Sequence, residues 1–232
     1  MNHTTFRSCW VAAWVFCCAL VVSPAWGTIL LFDNDPDFTN FGILPVNYGD
    51  NVNALTMGTF NYGLGKGFTP NIALDYRTLD IAGGNSATLN NYLTTWTTGY
   101  NELIGVAYPT EPTSTGEIAF VPEPGYAVRL NSFQVGNWSF FAKNQHARLY
   151  DEDYNLLQTY PLALPGSGSG SSVLVTPNYT HGGKLILQFG LDWNVGIDNV
   201  NFDQIVIPEP SVVAGLVVLV IFASYCRLRR MT

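Results

Sequence analysis

Between residues 28 and 207 the sequence has no cysteine, because Cys9, Cys17, Cys18 and Cys226 all lie in the two apolar ends. No disulfide can brace that stretch, even in an oxidising compartment. A body of about 180 residues is long enough to bury an ordinary core without one, and one domain is the economical count. Basic residues are also scarce. Arg7, Arg227, Arg229 and Arg230 sit in the ends, which leaves six Lys and Arg against sixteen Asp and Glu in the body. So acidic a domain will not hold nucleic acid by counterion release. Lys and Glu, the usual surface of helices, are few, and Gly, Asn, Thr, Tyr and Phe take their place.

Catalytic signatures are missing too. The body has two histidines, His146 and His181, and shows no His-Glu-x-x-His, Gly-x-Ser-x-Gly or phosphate-binding loop. Gly63-Leu64-Gly65-Lys66-Gly67 lacks the phosphate-loop spacing and reads as a turn. The expectation is a protein that is not an enzyme, with no catalytic residue assigned and the histidines at the surface or at strand ends. A Ser/His/Asp triad built from distant residues stays open at this point.

What is present is β pattern. Thr28 to Phe32 reads as a first strand. Tyr126, Val128 and Leu130 alternate with Ala127, Arg129 and Asn131, after which the phase slips to Phe133 and Val135, the mark of a bulge. Ala147–Tyr150, Asp151-Glu152-Asp153 and Tyr154–Leu157 read as strand, acidic turn and strand. Leu185, Leu187 and Phe189 share one side of a further strand, and Val195 to Ile207 supplies one or two short ones. Ser86 to Tyr100 has helix-like apolar spacing, yet its Thr, Asn and Gly content predicts extended or irregular chain. Gly166 to Ser172 is a flexible loop, expected at a hairpin tip rather than between domains. Short strands with turns between them predict an all-β sandwich or jelly roll.

The ends carry an address. Arg7, the apolar Cys9–Val22 run and the small residues Ala25 and Gly27 predict a signal peptide over 1–27, cut after Gly27. At the other end Pro208-Glu209-Pro210 precedes an uncharged run, Val212–Cys226, and then Arg227, Arg229 and Arg230. Fifteen helical residues span roughly 22 Å, short of a bilayer core unless the membrane thins and the arginines snorkel. The basic cluster belongs on the cytoplasmic side, so the body over 28–207 is expected outside. Pro122-Glu123-Pro124 repeats the tripeptide with no apolar run behind it, and reads as a rigid turn before the Tyr126 strand.

In order, spacing and position, the tail over 208–232 resembles that of the PEP-CTERM proteins, exported proteins of Gram-negative-type bacteria. The resemblance covers about a tenth of the chain. It implies a precursor held in the inner membrane by one helix, its body outside and C-terminus cytoplasmic. Signal peptidase and an exosortase-type membrane protease would be its processing partners, the latter acting near Pro208, Glu209 and Pro210. The destination implied is the cell surface or extracellular matrix. More loosely, Pro124–Phe133, Val195–Val200 and the Asp151–Leu157 turn resemble galactose-binding-like jelly rolls, a fold that hosts many unrelated roles.

Two functions fit such a body. One is a structural or adhesive surface component without chemistry of its own. The other is a carbohydrate-binding module that stacks Trp96, Trp138 or Trp193 on the sugars of an extracellular polysaccharide. The two part on whether at least two of these indoles lie exposed in one concave patch. Most tryptophans of a sandwich pack inside, so core roles are expected for at least two. No cofactor is expected beyond a structural Ca²⁺, for which Asp33, Asp35 and Asp37 are the weak candidates, oxygen ligands just after the first strand. Asn137-Trp138-Ser139 and Asn178-Tyr179-Thr180 match the glycosylation pattern by chance.

Overall fold

The computed structural model describes residues 27–32, 40–53, 67–80, 87–103, 105–168 and 170–208. Asp33, Asp35 and Asp37, the signal region before Gly27, and Glu209, Pro210 and the tail with Arg227, Arg229 and Arg230 lie outside the described residues. Among the described residues every regular element is a strand. In chain order these are β1 (Thr28–Leu30), β2 (Gly42–Ile43), β3 (Ile72–Asp80), β4 (Ala87–Asn90), β5 (Thr94–Trp96), β6 (Val106–Tyr108) and β7 (Ser114–Pro122). There follow β8 (Tyr126–Asn137), β9 (Lys143–Tyr150), β10 (Leu156–Leu164), β11 (Val173–Val175), β12 (Tyr179–His181), β13 (Leu185–Phe189) and β14 (Val195–Val206).

They form two antiparallel sheets packed as a sandwich. One runs β11-β8-β14-β6-β5-β2, with β12 also on β8 and β1 also on β14; the other runs β10-β9-β13-β7-β3-β4. From β6 onward the chain passes between sheets, apart from the β9–β10 hairpin and the successive pairing of β11 and β12 on β8. Side chains alternate across each strand, so each sheet sends one set inward. Val128, Leu130, Phe133, Val135, Ile197, Val200 and Phe202 come from the first sheet. Ile72, Leu74, Ile118, Phe120, Leu149, Leu185, Leu187 and Phe189 come from the second. The Phe120 and Phe202 rings meet edge-on across the gap, 5.0 Å apart at 62°. Each such ring removed from water contributes about 2–3 kcal/mol, the source of cohesion in a body without disulfides.

The phase slip on β8 is real. Leu130 and Phe133 both face the core because the β8–β14 register shifts between Asp198 and Asn201 and again before Phe202. Asn199 takes the left-handed φ of 51° that the distortion needs, a conformation Asn tolerates well. Two expectations are corrected. Val195–Val206 is one strand of 12 residues, bent at this bulge instead of broken. The Gly166–Ser172 stretch is no hairpin tip, since β10 and β11 belong to different sheets and the loop carries the chain across. The Pro122-Glu123-Pro124 turn closes as expected, with the Tyr126 N–H donating to the Glu123 carbonyl at 3.0 Å.

Candidate functional site

The site is built where the β5–β6 hairpin meets the loops after β8 and β13. Ala107 of β6 faces the core with its partner Ile197, so Val106 and Tyr108 face away from the other sheet. There they form a second small cluster with Tyr100 and Leu103, and Trp96 packs against it. The hairpin tip is held down from two sides. The Tyr100 hydroxyl donates to the Trp193 carbonyl at 2.8 Å, and the Asn137 N–H donates to the Asn101 side-chain oxygen at 2.7 Å. Glycine is required underneath. A Cβ on Gly136 would stand 2.5 Å from the Tyr100 carbonyl oxygen, and one on Gly196 2.8 Å from the Val106 side chain.

The two flanking loops are equally fixed. The Trp138 N–H donates to the Asn194 carbonyl at 2.8 Å, tying the loop after β8 to the loop after β13. Buried Asn137 donates its amide to the carbonyls of Phe141 at 2.8 Å and Pro165 at 3.0 Å, and its oxygen accepts from the Ser139 N–H. Asp192 accepts from both the backbone and the amide nitrogen of Asn194, and its other oxygen is paired with the Lys143 ammonium. Asn40 accepts from the backbone and hydroxyl of Thr97 beside the strap that carries Phe41. Phe41 itself has φ of 61°, a rare and costly conformation for a bulky side chain, the kind of strain that collects at binding sites.

These supports bring Phe41, Trp96, Tyr100, Tyr108, Trp138, Trp193 and Asn194 around one cleft of about 370 Å³, counting its open mouth. All three tryptophans singled out in the sequence are here. The expectation of core roles for two of them is corrected: Trp138 is 47% exposed and Trp193 42%, and Trp96 is half-buried outside the main core. The main core is filled by Phe, Leu, Ile and Val from the strands, and Trp138 and Trp193 sit on loops beyond the strand ends. The rings stand at angles and form a corner: Phe41 and Trp96 at 4.5 Å and 82°, Trp96 and Trp138 at 6.3 Å and 68°. Burial raises the Tyr100 hydroxyl well above its usual range, with Tyr108 and Asp192 adding to the effect. Burial also pushes Tyr108 up to about 12, so both phenols stay neutral in ordinary conditions. Such a cleft offers rigid apolar faces and few polar groups, one of which, the Asn194 amide, is already donated to Asp192.

Phe41, Tyr100, Tyr108 and Asn194 line the cleft without being candidates in the sequence. Phe41 had a signal, an aromatic beside Asn40 and Gly42 and outside any alternating run. Of the histidines, His181 ends β12, stacked on Tyr179 at 6.5 Å, but His146 lies within β9 with its Nδ1 buried and unpartnered among the described residues. Asn137, a match to the glycosylation pattern, is buried with its amide committed, whereas Asn178 is exposed.

No protein-family model matches the chain, and no curated protein matches it. Among solved structures it resembles the enzymatically active domain of tailspike protein 4 from bacteriophage CBA120, at 16% identity and TM-score 0.28, over 58% of this chain and 19% of that one. It also resembles the cleaved adhesin domain of Lys-gingipain from Porphyromonas gingivalis, at 15% identity and TM-score 0.28, covering 55% and 91%. A third likeness is to TmCBM61 in complex with beta-1,4-galactotriose, at 11% identity and TM-score 0.25, covering 58% and 86%. The chain thus spans about a fifth of the tailspike domain's length. Values this low define neither a family nor a ligand.

Proposed function

We propose that this chain is an exported surface protein whose β-sandwich binds the sugar rings of an extracellular polysaccharide in the aromatic cleft. The observation that carries the reading is the convergence of Trp96, Trp138 and Trp193 on one concave patch, two of them exposed. Three indoles around a single concave opening suit the binding of a ring-shaped ligand better than a purely structural role. The C–H face of a pyranose is apolar and flat, and an indole is the side chain that matches it best. In this reading the chain does no chemistry of its own. The strand order β6-β14-β8-β11 opposite β7-β13-β9-β10 supports the finer reading of the fold as a jelly roll of the galactose-binding-like kind.

Sorting belongs to the same proposal. The body is exported behind the signal peptide, held by the apolar Val212–Cys226 run, and cut near Pro208, Glu209 and Pro210 by an exosortase-type protease resembling those that read PEP-CTERM tails. Pro208 is exposed just past β14, which supports access for such a protease. Intact mass of the protein from its own host tests this, with a C-terminus near residue 210 expected. The cleft is tested by calorimetry of the purified full chain with neutral oligosaccharides. Binding by wild type that is lost in a Trp138→Ala, Trp193→Ala double variant supports the reading; equal binding by both proteins overturns it.

A further inference from the structure

The face of the second sheet turned away from the core carries a straight polar row. The register sets Arg148 of β9 beside Gln188 of β13, Gln188 beside Glu117 of β7, and Glu117 beside Arg77 of β3. Four neighbouring strands at about 4.8 Å spacing make the row roughly 14 Å long. Glu117 in its middle is 0% exposed although it points out of the sandwich, an uncommon situation for a carboxylate. Its oxygens accept from the Tyr154 hydroxyl at 3.1 Å and the Gln188 amide at 3.0 Å, and the Arg77 guanidinium lies 4.0 Å away. Tyr154 is delivered by the β9–β10 turn and covers the row from above.

At the other end the row is unfinished. The half-buried Arg148 guanidinium has no hydrogen-bond or ion-pair partner among the described residues. Two residues along the same face of β9, the His146 Nδ1 is buried and equally unpartnered. One charged fork and one buried ring nitrogen therefore wait side by side, while the Arg77–Glu117 half of the row is internally neutralised. An unmatched guanidinium binds a planar oxyanion such as a carboxylate, which it grips through two parallel N–H donors.

We propose, taking the polysaccharide partner from the function proposed above, that this face is a second glycan site, for a carboxylate-bearing (uronate) sugar chain with one carboxylate on Arg148. Only the Arg148–Gln188 end of the row is open, because Tyr154 covers Glu117; one sugar lies over Arg148 and Gln188 and the next meets the Tyr154 ring. The acidic body repels a polyanion at long range, and it is the local fork that overcomes this within a Debye length of about 10 Å. Binding therefore depends only weakly on salt, as one ion pair should, and is separate from the aromatic cleft.

The test is calorimetry of the purified full chain with a defined oligouronate and with its neutral counterpart of the same length. Wild type binds the oligouronate, Arg148→Gln loses at least about tenfold, and Arg148→Lys, which keeps the charge without the fork, falls between. Trp138→Ala leaves this binding intact, which keeps the outcome separate from that of the cleft. Thermal unfolding of each variant shows that the sandwich persists. No binding of oligouronate by wild type, or equal binding by wild type and Arg148→Gln, overturns the proposal.

Discussion

The Tyr100 hydroxyl donates a 2.8 Å hydrogen bond to the main-chain carbonyl of Trp193, ninety-three residues away. That bond ties the tip of the β5–β6 hairpin to the loop after β13, so the shape of the aromatic cleft depends on it. Tyr100→Phe removes the donor and keeps the ring. The expected cost is about 1 kcal/mol of unfolding free energy, the net worth of one such bond plus a carbonyl left partly unsatisfied. Sugar affinity should fall with it, because the Trp193 loop loses its bond to the hairpin tip and keeps those of Asn194 to Asp192 and Trp138. Urea denaturation and calorimetry on the same preparation check both.

Trp138→Ala tests binding more directly. The indole is 47% exposed and rests on Trp96, so its loss removes about half a ring's buried area and lowers the midpoint of thermal unfolding moderately, while the sandwich core is untouched. Oligosaccharide affinity is expected to drop about tenfold, equivalent to about 1.4 kcal/mol. A large fall in stability with unchanged affinity would show the indole to be a packing residue.

Gly136 is the seat of the hairpin tip. A Cβ there meets the Tyr100 carbonyl oxygen at 2.5 Å, and a backbone atom held by the Tyr100–Leu103 bridge has little room to give. Gly136→Ala should therefore lift the tip at a cost of about 1–3 kcal/mol, the usual penalty of overpacking. The sandwich survives, and sugar binding is lost together with the protection of the Trp96 indole from a fluorescence quencher. Unchanged quenching would show that the tip does not move.

Much of the fold was legible because alternation is a local property. The Leu185, Leu187, Phe189 face, the Asp151–Asp153 turn and even the slip between Leu130 and Phe133 follow from side chains that must choose a side. The indoles were legible as candidates by type, but not by position. Trp138 and Trp193 reach one cleft only because Asn137 and Asp192 fix their loops, and hydrogen bonds between residues tens of positions apart leave no periodic trace. Gly166–Ser172 was misjudged for a related reason: a loop's composition shows that it bends, and not which sheet it enters next. Glu117 had a signal that went unused, a lone carboxylate between Gly116 and the apolar Ile118–Val121 run.

Glu117 is the burial that its neighbours must justify. Glu117→Ala strands the Tyr154 hydroxyl and the Gln188 amide and leaves Arg77 without its counter-charge. A loss of about 3 kcal/mol is expected, seen as a lower urea midpoint at unchanged slope. Glu117→Gln keeps an acceptor for Tyr154 and should lose roughly half as much. If both variants were as stable as wild type, the carboxylate would have no part in holding the β9–β10 turn.

The phenols of the cleft give the protein an alkaline limit. Burial raises Tyr108 to about 12 and Tyr100 further, whereas in the unfolded chain both titrate near 10. Between those values the unfolded chain has released the protons that the folded one keeps, so it binds fewer protons and stability falls as pH rises. The contribution is whole below pH about 10 and is lost progressively as pH climbs through about 12. Tyr108→Phe removes one of the two groups. Its unfolding free energy, compared with wild type across pH 9 to 12 on the order of one-unit steps, should decline less steeply. Parallel slopes would mean that Tyr108 ionises in the folded cleft as readily as in the unfolded chain.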